Sequence, residues 1–322
     1  NEQKKSTHRV EVVPVHLEPH PNADSLSIVK VFGYNVVVRT DDWQGISLGA
    51  YIPPDSVVPD TKEWEFLTES KRIGVRRFRG TFSQGLLIPA PSGSKEGDDV
   101  SDALGITRYE PPIEHLGKGE QAASAPEGFH PKYDLESWNR YGHLLKEGEM
   151  IVVTEKIHGA SSRYCFENGE MQVGLRTWWI KKNDRSPWYK ALEFEPWIEN
   201  FCRENVDLTL YGEIYGNVQK VKYGKPNEIR FVAFDIWNRK EARFLSWNEF
   251  NKILTIKSPP VIYIGEYNSK TIEELSNGKS LIEGANHLRE GIVIQPFEER
   301  IDPEIGRVKL KIVSNEYLEK DK

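Results

Sequence analysis

The run Met150-Ile151-Val152-Val153-Thr154-Glu155-Lys156-Ile157-His158-Gly159 constrains this chain more than any other stretch. Its apolar, β-branched opening reads as a buried strand that leads directly into Lys156. A lysine ammonium is strongly hydrated and belongs at a surface. At a buried strand end it is pushed toward the neutral amine, which is a nucleophile. Gly159, three positions on, permits a close backbone approach to whatever the lysine faces. A solvated lysine beside a turn glycine fits the same residues, so the downstream sequence has to separate the two readings.

Downstream, strand after strand ends in a charged or aromatic group. Arg176 lies in Gly174-Leu175-Arg176-Thr177, and Glu213 in Leu210-Tyr211-Gly212-Glu213-Ile214-Tyr215-Gly216, whose glycines clear room beside the carboxylate. Phe234 and Asp235 fall in Phe231-Val232-Ala233-Phe234-Asp235-Ile236-Trp237, and Glu290 precedes Gly291-Ile292-Val293-Ile294. Lys309 and Lys311 alternate with apolar residues in Val308-Lys309-Leu310-Lys311-Ile312. A period of two points both lysines to one face of a strand.

In order, Lys-x-His-Gly, Arg, Gly-Glu-x-Tyr-Gly, Phe-Asp, Glu-Gly-x-Val-Ile and Lys-x-Lys resemble the motifs of the covalent nucleotidyltransferases. They are most similar to the ATP-dependent RNA ligases, where histidine is common at the third motif position. The resemblance covers about residues 131–315. It implies a nucleotidyltransferase domain of antiparallel sheets with flanking helices. Lys156 would attack the α-phosphate of ATP, giving lysyl-AMP. The AMP then passes to an RNA 5′-phosphate and is displaced by an RNA 3′-OH.

The remaining roles follow from the same resemblance. Glu213 and Glu290 would serve Mg²⁺ or Mn²⁺ through its waters, and in relatives such carboxylates also contact the ribose. Phe234 stacks on adenine, Arg176 holds a phosphate or ribose, and Glu155 stands where relatives make a main-chain adenine contact. His158 and Gly159 complete the nucleotide-binding loop, with His158 either ordering a water or holding the turn. Deprotonating a lysine of pKa about 10.4 at pH 7 costs roughly 4–5 kcal/mol. Lys309, Lys311 and the cation would lower that cost as like charges and neutralise the α-phosphate. Taken singly, Phe234 also fits core beside Phe231 and Trp237, Glu213 a loop cap, and Asp235 a turn tie. The lysine pair alone reads as a solvated face, and Cys165 as core. Phage-type relatives tend to have asparagine two residues past the glycine, where this chain has Ser161.

Residues 7–90 carry short strands punctuated by Pro and Gly every 8–15 residues, the pattern of a small β-barrel or sandwich. Pro19-His20-Pro21-Asn22-Ala23-Asp24-Ser25-Leu26 resembles the opening of tRNA-binding OB domains. Such barrels bind single strands through basic and aromatic side chains. The local candidate is Lys71-Arg72-Ile73-Gly74-Val75-Arg76-Arg77-Phe78-Arg79, in which Lys71, Arg72, Arg76, Arg77 and Arg79 would grip RNA phosphates, although a charge run is also an ordinary solvated face. Net charge is −6, so any nucleic-acid partner must be held by such a local patch. The expected organisation is α+β: an OB-fold module over 1–95, a Ser/Gly/Pro-rich linker over 96–130, and the nucleotidyltransferase domain over 131–322.

Two cysteines without zinc or disulfide spacing fit a reducing compartment, and no apolar run approaches the roughly 20 residues that span a bilayer. A soluble intracellular protein is expected, with RNA ends or nicks and ATP as partners. DNA ligases and capping enzymes use Lys-x-Asp-Gly and continue into a C-terminal OB domain, whereas this chain runs only to Lys322. They remain the rival on the same fold, and a catalytically silent RNA-binding protein is the rival of another class.

Overall fold

The computed structural model describes residues 8–68, 70–110, 119–254 and 257–320. The chain forms two compact units. The first gathers Asn1–Glu110, Glu136–His143 and Asn315–Lys322; the second gathers Pro111–Leu135 and Leu144–Ser314.

In the first unit β1 (Glu11–Pro14) pairs antiparallel with the later strand Leu48–Ile52, which pairs in turn with Leu86–Pro89. Strands β2 (Ala23–Val31) and β3 (Tyr34–Arg39) form one hairpin, β4 (Val75–Phe78) and β5 (Thr81–Gln84) another. Period two feeds two apolar clusters: Val12, Ala50 and Ile52 pack in one, Val13 and Tyr51 in the other.

This unit does not stop at residue 95. Val100 and Ile106 are buried in its core, and Thr107–Arg108 pairs with Ser56–Val57. Farther along, Arg140 donates to Glu11 at 2.8 Å and Tyr34 bonds to Ser137 at 2.7 Å. Gln84 donates to Asn315 at 3.1 Å, which docks the helix Asn315–Lys320 on the same unit. Composition marks polarity and turn residues, but such long-range contacts leave no local trace. The linker expected over 96–130 is therefore divided between the two units.

The second unit contains β6 (Met150–Lys156), β7 (Ala160–Glu167), β8 (Glu170–Gly174), β9 (Leu208–Gly216), β10 (Ile229–Asn238), β11 (Val261–Glu266), β12 (Gly291–Pro296) and β13 (Leu310–Val313). One antiparallel sheet runs in the order Ala122–Ala123, Trp179–Ile180, β8, β7, β9, β10, Arg243–Phe244. The other places β13, β12, β6 and β11 side by side. Helices α1 (Pro187–Phe194) and α2 (Trp197–Glu204) pack Trp188, Ala191, Ile198 and Cys202 into the first sheet's core.

The sequence pattern reads as one helix around Trp188–Asn205. Pro196 splits it, because the residue before a proline avoids helical backbone and Glu195 takes φ −129°, ψ 65°. Cys165 and Cys202 are free and buried, as core residues. Among the described residues no helix is long and apolar enough to cross a membrane.

Candidate active site

Lys156 is the last residue of β6, and Ala160 is the first of β7 in the other sheet. Ile157-His158-Gly159 is therefore the crossover between the two sheets. Lys156 pairs with Gly291 on β12, which brings the preceding residue, Glu290, beside it. The Lys156 Nζ donates to Glu290 Oε1 at 2.8 Å, with side chains 24% and 14% exposed. His158 Nδ1 lies 3.8 Å from the other oxygen, Glu290 Oε2, which is buried and has no hydrogen-bond partner among the described residues.

Two carboxyls here are driven apart in acidity. Burial alone would raise Glu290, but the Lys156 and His158 charges outweigh it and hold the group at about 2. Glu213, on β9 opposite Ser161, is pushed by burial up to about 8; Lys156 pulls it down and Glu290 adds to the rise. Opposed shifts on neighbouring carboxyls mark a site built for charge.

Lys309 does not act as a simple like charge on Lys156. It precedes β13, is 7% exposed, and donates to Asp235 Oδ2 at 2.9 Å and to Phe234 O at 3.1 Å. Asp235 also takes the Tyr133 hydroxyl at 2.6 Å and the Arg307 guanidinium, so it is a buried hub, not a turn tie. Burial alone would raise Asp235, but Arg307 and Lys309 hold it below the usual carboxylate range. The lysine's charge is thereby matched locally. Glu290, touching Lys156 directly, favours the ammonium, so whatever frees the amine must compete for Glu290.

Gly159 is required by the strand behind it. A Cβ there would stand 1.9 Å from the Ile214 carbonyl oxygen and 3.1 Å from Glu213 Cγ. The close approach anticipated for a ligand is taken by β9 itself. Tyr223 OH accepts the His158 N–H at 2.6 Å, and Gln219 Nε2 donates to Gly159 O at 2.6 Å. Glu155 alternates to the opposite face from Lys156; its buried carboxylate accepts the Leu281 N–H at 2.7 Å. Its side chain is thus committed elsewhere.

A β-bulge presents Phe234. Tyr211 pairs with Asp235 while Gly212 pairs with Ala233, which leaves Phe234 as the extra residue of β10. Phe231 and Trp237 are buried, whereas Phe234 is only half-buried, 4.6 Å from the Tyr133 ring centroid. The room at Gly212 is taken by the Phe231 ring and Val232 O, not by the Glu213 carboxylate.

Arg176 donates to Asp134 at 3.0 Å and lowers the Glu213 carboxyl electrostatically. Lys311 is half-buried on β13, opposite Val293. Arg307, Tyr133, Tyr223 and Gln219 escape sequence reading. Arg307 extends the alternation Arg307-x-Lys309-x-Lys311 and was legible there; the other three lie in loops and carry no local signal.

The five first-unit cations divide in two. Lys71 donates to Trp64 O at 2.9 Å, and Arg72 donates to Asp55 at 2.8 Å while stacking on Tyr109 at 3.9 Å. Both fasten loops. Arg76, Arg77 and Arg79 are exposed on the β4–β5 hairpin, Arg77 lying over Phe82 at 4.2 Å and pairing with Glu319 at 3.2 Å. The Pro19–Leu26 segment holds this hairpin. His20 Nδ1 accepts the Asn22 N–H, so a neutral ring donates from Nε2 to Phe78 O at 3.1 Å, and Asn22 Nδ2 donates to Arg79 O at 3.0 Å.

The RNA ligase family model matches residues 149–313, and an OB-fold domain model matches residues 9–90. Among curated proteins none matches significantly. Among solved structures, a lysine-to-alanine mutant of Naegleria gruberi RNA ligase with ATP and Mn aligns with a TM-score of 0.80 at 25% identity, over 97% of this chain and 98% of that one. An arginine-to-alanine mutant of the Naegleria gruberi enzyme, also with ATP and Mn, aligns at 0.82 and 26%, over 98% and 99%. Naegleria gruberi RNA ligase with PPi aligns at 0.80 and 26%, over 98% and 99%.

Proposed function

This chain belongs to the RNA ligase family, and from that premise we propose that it joins RNA 3′-OH and 5′-phosphate ends at the expense of ATP, through AMP carried on Lys156. One observation carries the reading: Lys156 stands at the sheet crossover against Glu290, with Glu213 electrostatically coupled to both.

In this reading the neutral Lys156 amine bonds to the α-phosphorus of ATP as the bond to the pyrophosphate oxygen breaks. A 5′-phosphate oxygen of RNA then attacks the same phosphorus and releases Lys156. Finally a 3′-OH attacks the 5′-phosphorus and AMP leaves. Arg176 and Lys311 neutralise phosphate charge, as does Lys309 in part, and Phe234 offers its half-exposed ring to adenine.

The residues fit a divalent cation. Glu290 Oε2 is an orphaned buried oxygen, and Glu213, raised by burial, would be favoured as the carboxylate by an added positive charge. Among the described residues no cluster of three or more His, Cys, Asp or Glu forms a metal cage, which suits an ion that keeps most of its waters. Glu290 and Glu213 would hold Mg²⁺ or Mn²⁺ through its waters, and the ion would supply charge that offsets the phosphates. Glu290, once shared with it, would hold the Lys156 ammonium less tightly. The relatives with ATP, Mn and PPi support this choice of substrate and cation.

The test is transfer of label from α-labelled ATP. The wild-type protein is expected to form an acid-labile adduct that Lys156→Ala abolishes. A wild-type protein that takes no label from any nucleotide is a silent RNA binder; label from GTP, or sealing of nicked DNA in preference to RNA, makes it the capping or DNA enzyme.

A further inference from the structure

We propose a second RNA contact on the catalytic unit itself: the cavity framed by Lys181, Lys182 and Arg185, which takes phosphodiester groups of the RNA being sealed. The proposal rests on the RNA ligase reading above and names a part of its substrate site.

The cavity has a volume of about 360 Å³ and is lined by Gly119, Gln121, Lys181, Lys182, Asn183 and Arg185. Its frame is built. The Lys181 N–H donates to Gln121 O at 2.8 Å, next to the pairing of Ala122–Ala123 with Trp179–Ile180. The Arg185 N–H donates to Asn183 Oδ1 at 3.0 Å, and the Ser186 N–H to Asn183 O at 2.9 Å. Helix α1 starts immediately after, with Pro187 in its first turn, so the positive end of its dipole adjoins the same loop.

Three cations converge on this cavity. The side chains of Lys181, Lys182 and Arg185 make no ion pair or hydrogen bond among the described residues. Elsewhere in the unit Arg176, Arg230, Arg239, Arg300, Arg307 and Lys309 each meet a carboxylate. Asp184, in the same loop, does not line the cavity. Three cations around one opening, against the nearby carboxylates Glu120 and Asp184, mutually repel and would gain from a polyanion.

Among the described residues no apolar side chain lines the opening, which argues against a hydrophobic peptide or lipid tail. Position suits an extended polyanion such as RNA and not a mononucleotide, because the loop is remote from the Lys156 crossover. Trp179–Ile180 pairs with β8 and β8 with β7, the strand that leaves the Lys156 crossover. Lys181 follows Ile180 on the level of Gln172 and Cys165, so the loop lies about two strand spacings, roughly 10 Å, to the side of β7 and about five residues, roughly 17 Å, along it from Ala160.

The experiment compares the wild-type chain with K181Q/K182Q/R185Q. Self-adenylation is followed with α-labelled ATP, and binding of a 5′-phosphorylated RNA oligonucleotide by anisotropy across a salt series. The expected result is self-adenylation within about twofold, RNA affinity at low salt reduced at least tenfold, and a log–log salt slope shallower by about 2, from three lost phosphate contacts. Unchanged affinity and slope overturn the proposal. Tripolyphosphate serves as a competitor: if the variant loses tripolyphosphate binding yet holds RNA normally, the cavity is a free-phosphate site and the proposal is overturned. Should the triple variant also lose self-adenylation, the single variants K181Q, K182Q and R185Q decide, each expected to make the slope shallower by about 0.7; three unchanged slopes overturn the proposal. A wild-type protein that never takes label is a different outcome, and it sinks the ligase reading instead.

Discussion

The Lys156 amine and the Glu290 carboxylate are 2.8 Å apart because β6 and β12 pair Lys156 with Gly291. A glycine is needed at that register position, since a Cβ on residue 291 would stand 2.0 Å from the Ile312 carbonyl oxygen. Lys156 and Glu290 are therefore brought together by main-chain pairing before any ligand arrives. Glu290→Gln keeps the shape and removes the charge. It is expected to slow label transfer from ATP by about a hundredfold or more, with the melting temperature little changed. Wild-type labelling rates in that variant would remove Glu290 from the chemistry.

Phe234 reaches the site as the extra residue of a bulge, so its contribution separates from core packing. Phe234→Ala is expected to raise the KM for ATP roughly tenfold to a hundredfold, the worth of one base stacked on an aromatic ring. Phe234→Trp should keep most of the affinity. An unaltered KM in the alanine variant places adenine elsewhere.

Cations close together in sequence are expected to behave differently. Arg72→Ala loses its bonds to Asp55 and its stack on Tyr109, and should lower stability by about 1 kcal/mol while RNA affinity holds. The pair Arg76→Glu and Arg77→Glu should weaken RNA binding and flatten its salt dependence, with self-adenylation spared. Equal RNA affinity in both constructions would make the hairpin mere surface.

His130 links stability to pH. Burial, helped by the Arg239 charge, lowers its imidazole from 6.5 to about 4. A depressed folded value means that the stabilisation is full above pH 6.5 and is lost as pH falls toward 4. Solvent screening of the partly exposed ring keeps the loss below about 3 kcal/mol. Urea unfolding between pH 7 and 4 should show this loss, and His130→Phe should flatten the slope; an equally steep slope in that variant assigns the acid sensitivity to other groups.

Gly159→Ala places a methyl against the Ile214 carbonyl at the sheet crossover. The strands must part there, at an expected cost of about 1–3 kcal/mol and most of the label transfer. A variant that melts and labels like the wild type would mean that the crossover relaxes freely.

The sequence by itself determined the principal strands and the order of the candidate site residues. Apolar strands at 150–156, 208–216 and 229–238 follow from a period that each residue reads from its neighbours, and candidate site residues lie on them. Tertiary structure decided the partners. Which carboxylate meets Lys156, why Phe234 leaves the core that Phe231 enters, and why Lys309 answers to Asp235 all depend on register between strands far apart in the chain. The same holds for Arg72, spent on Asp55, and for His20, spent on the hairpin at Phe78. Periodicity is a local property that a few residues carry, whereas a salt bridge or a bulge is fixed by the whole packing, in which each charge settles on the group that best offsets its desolvation.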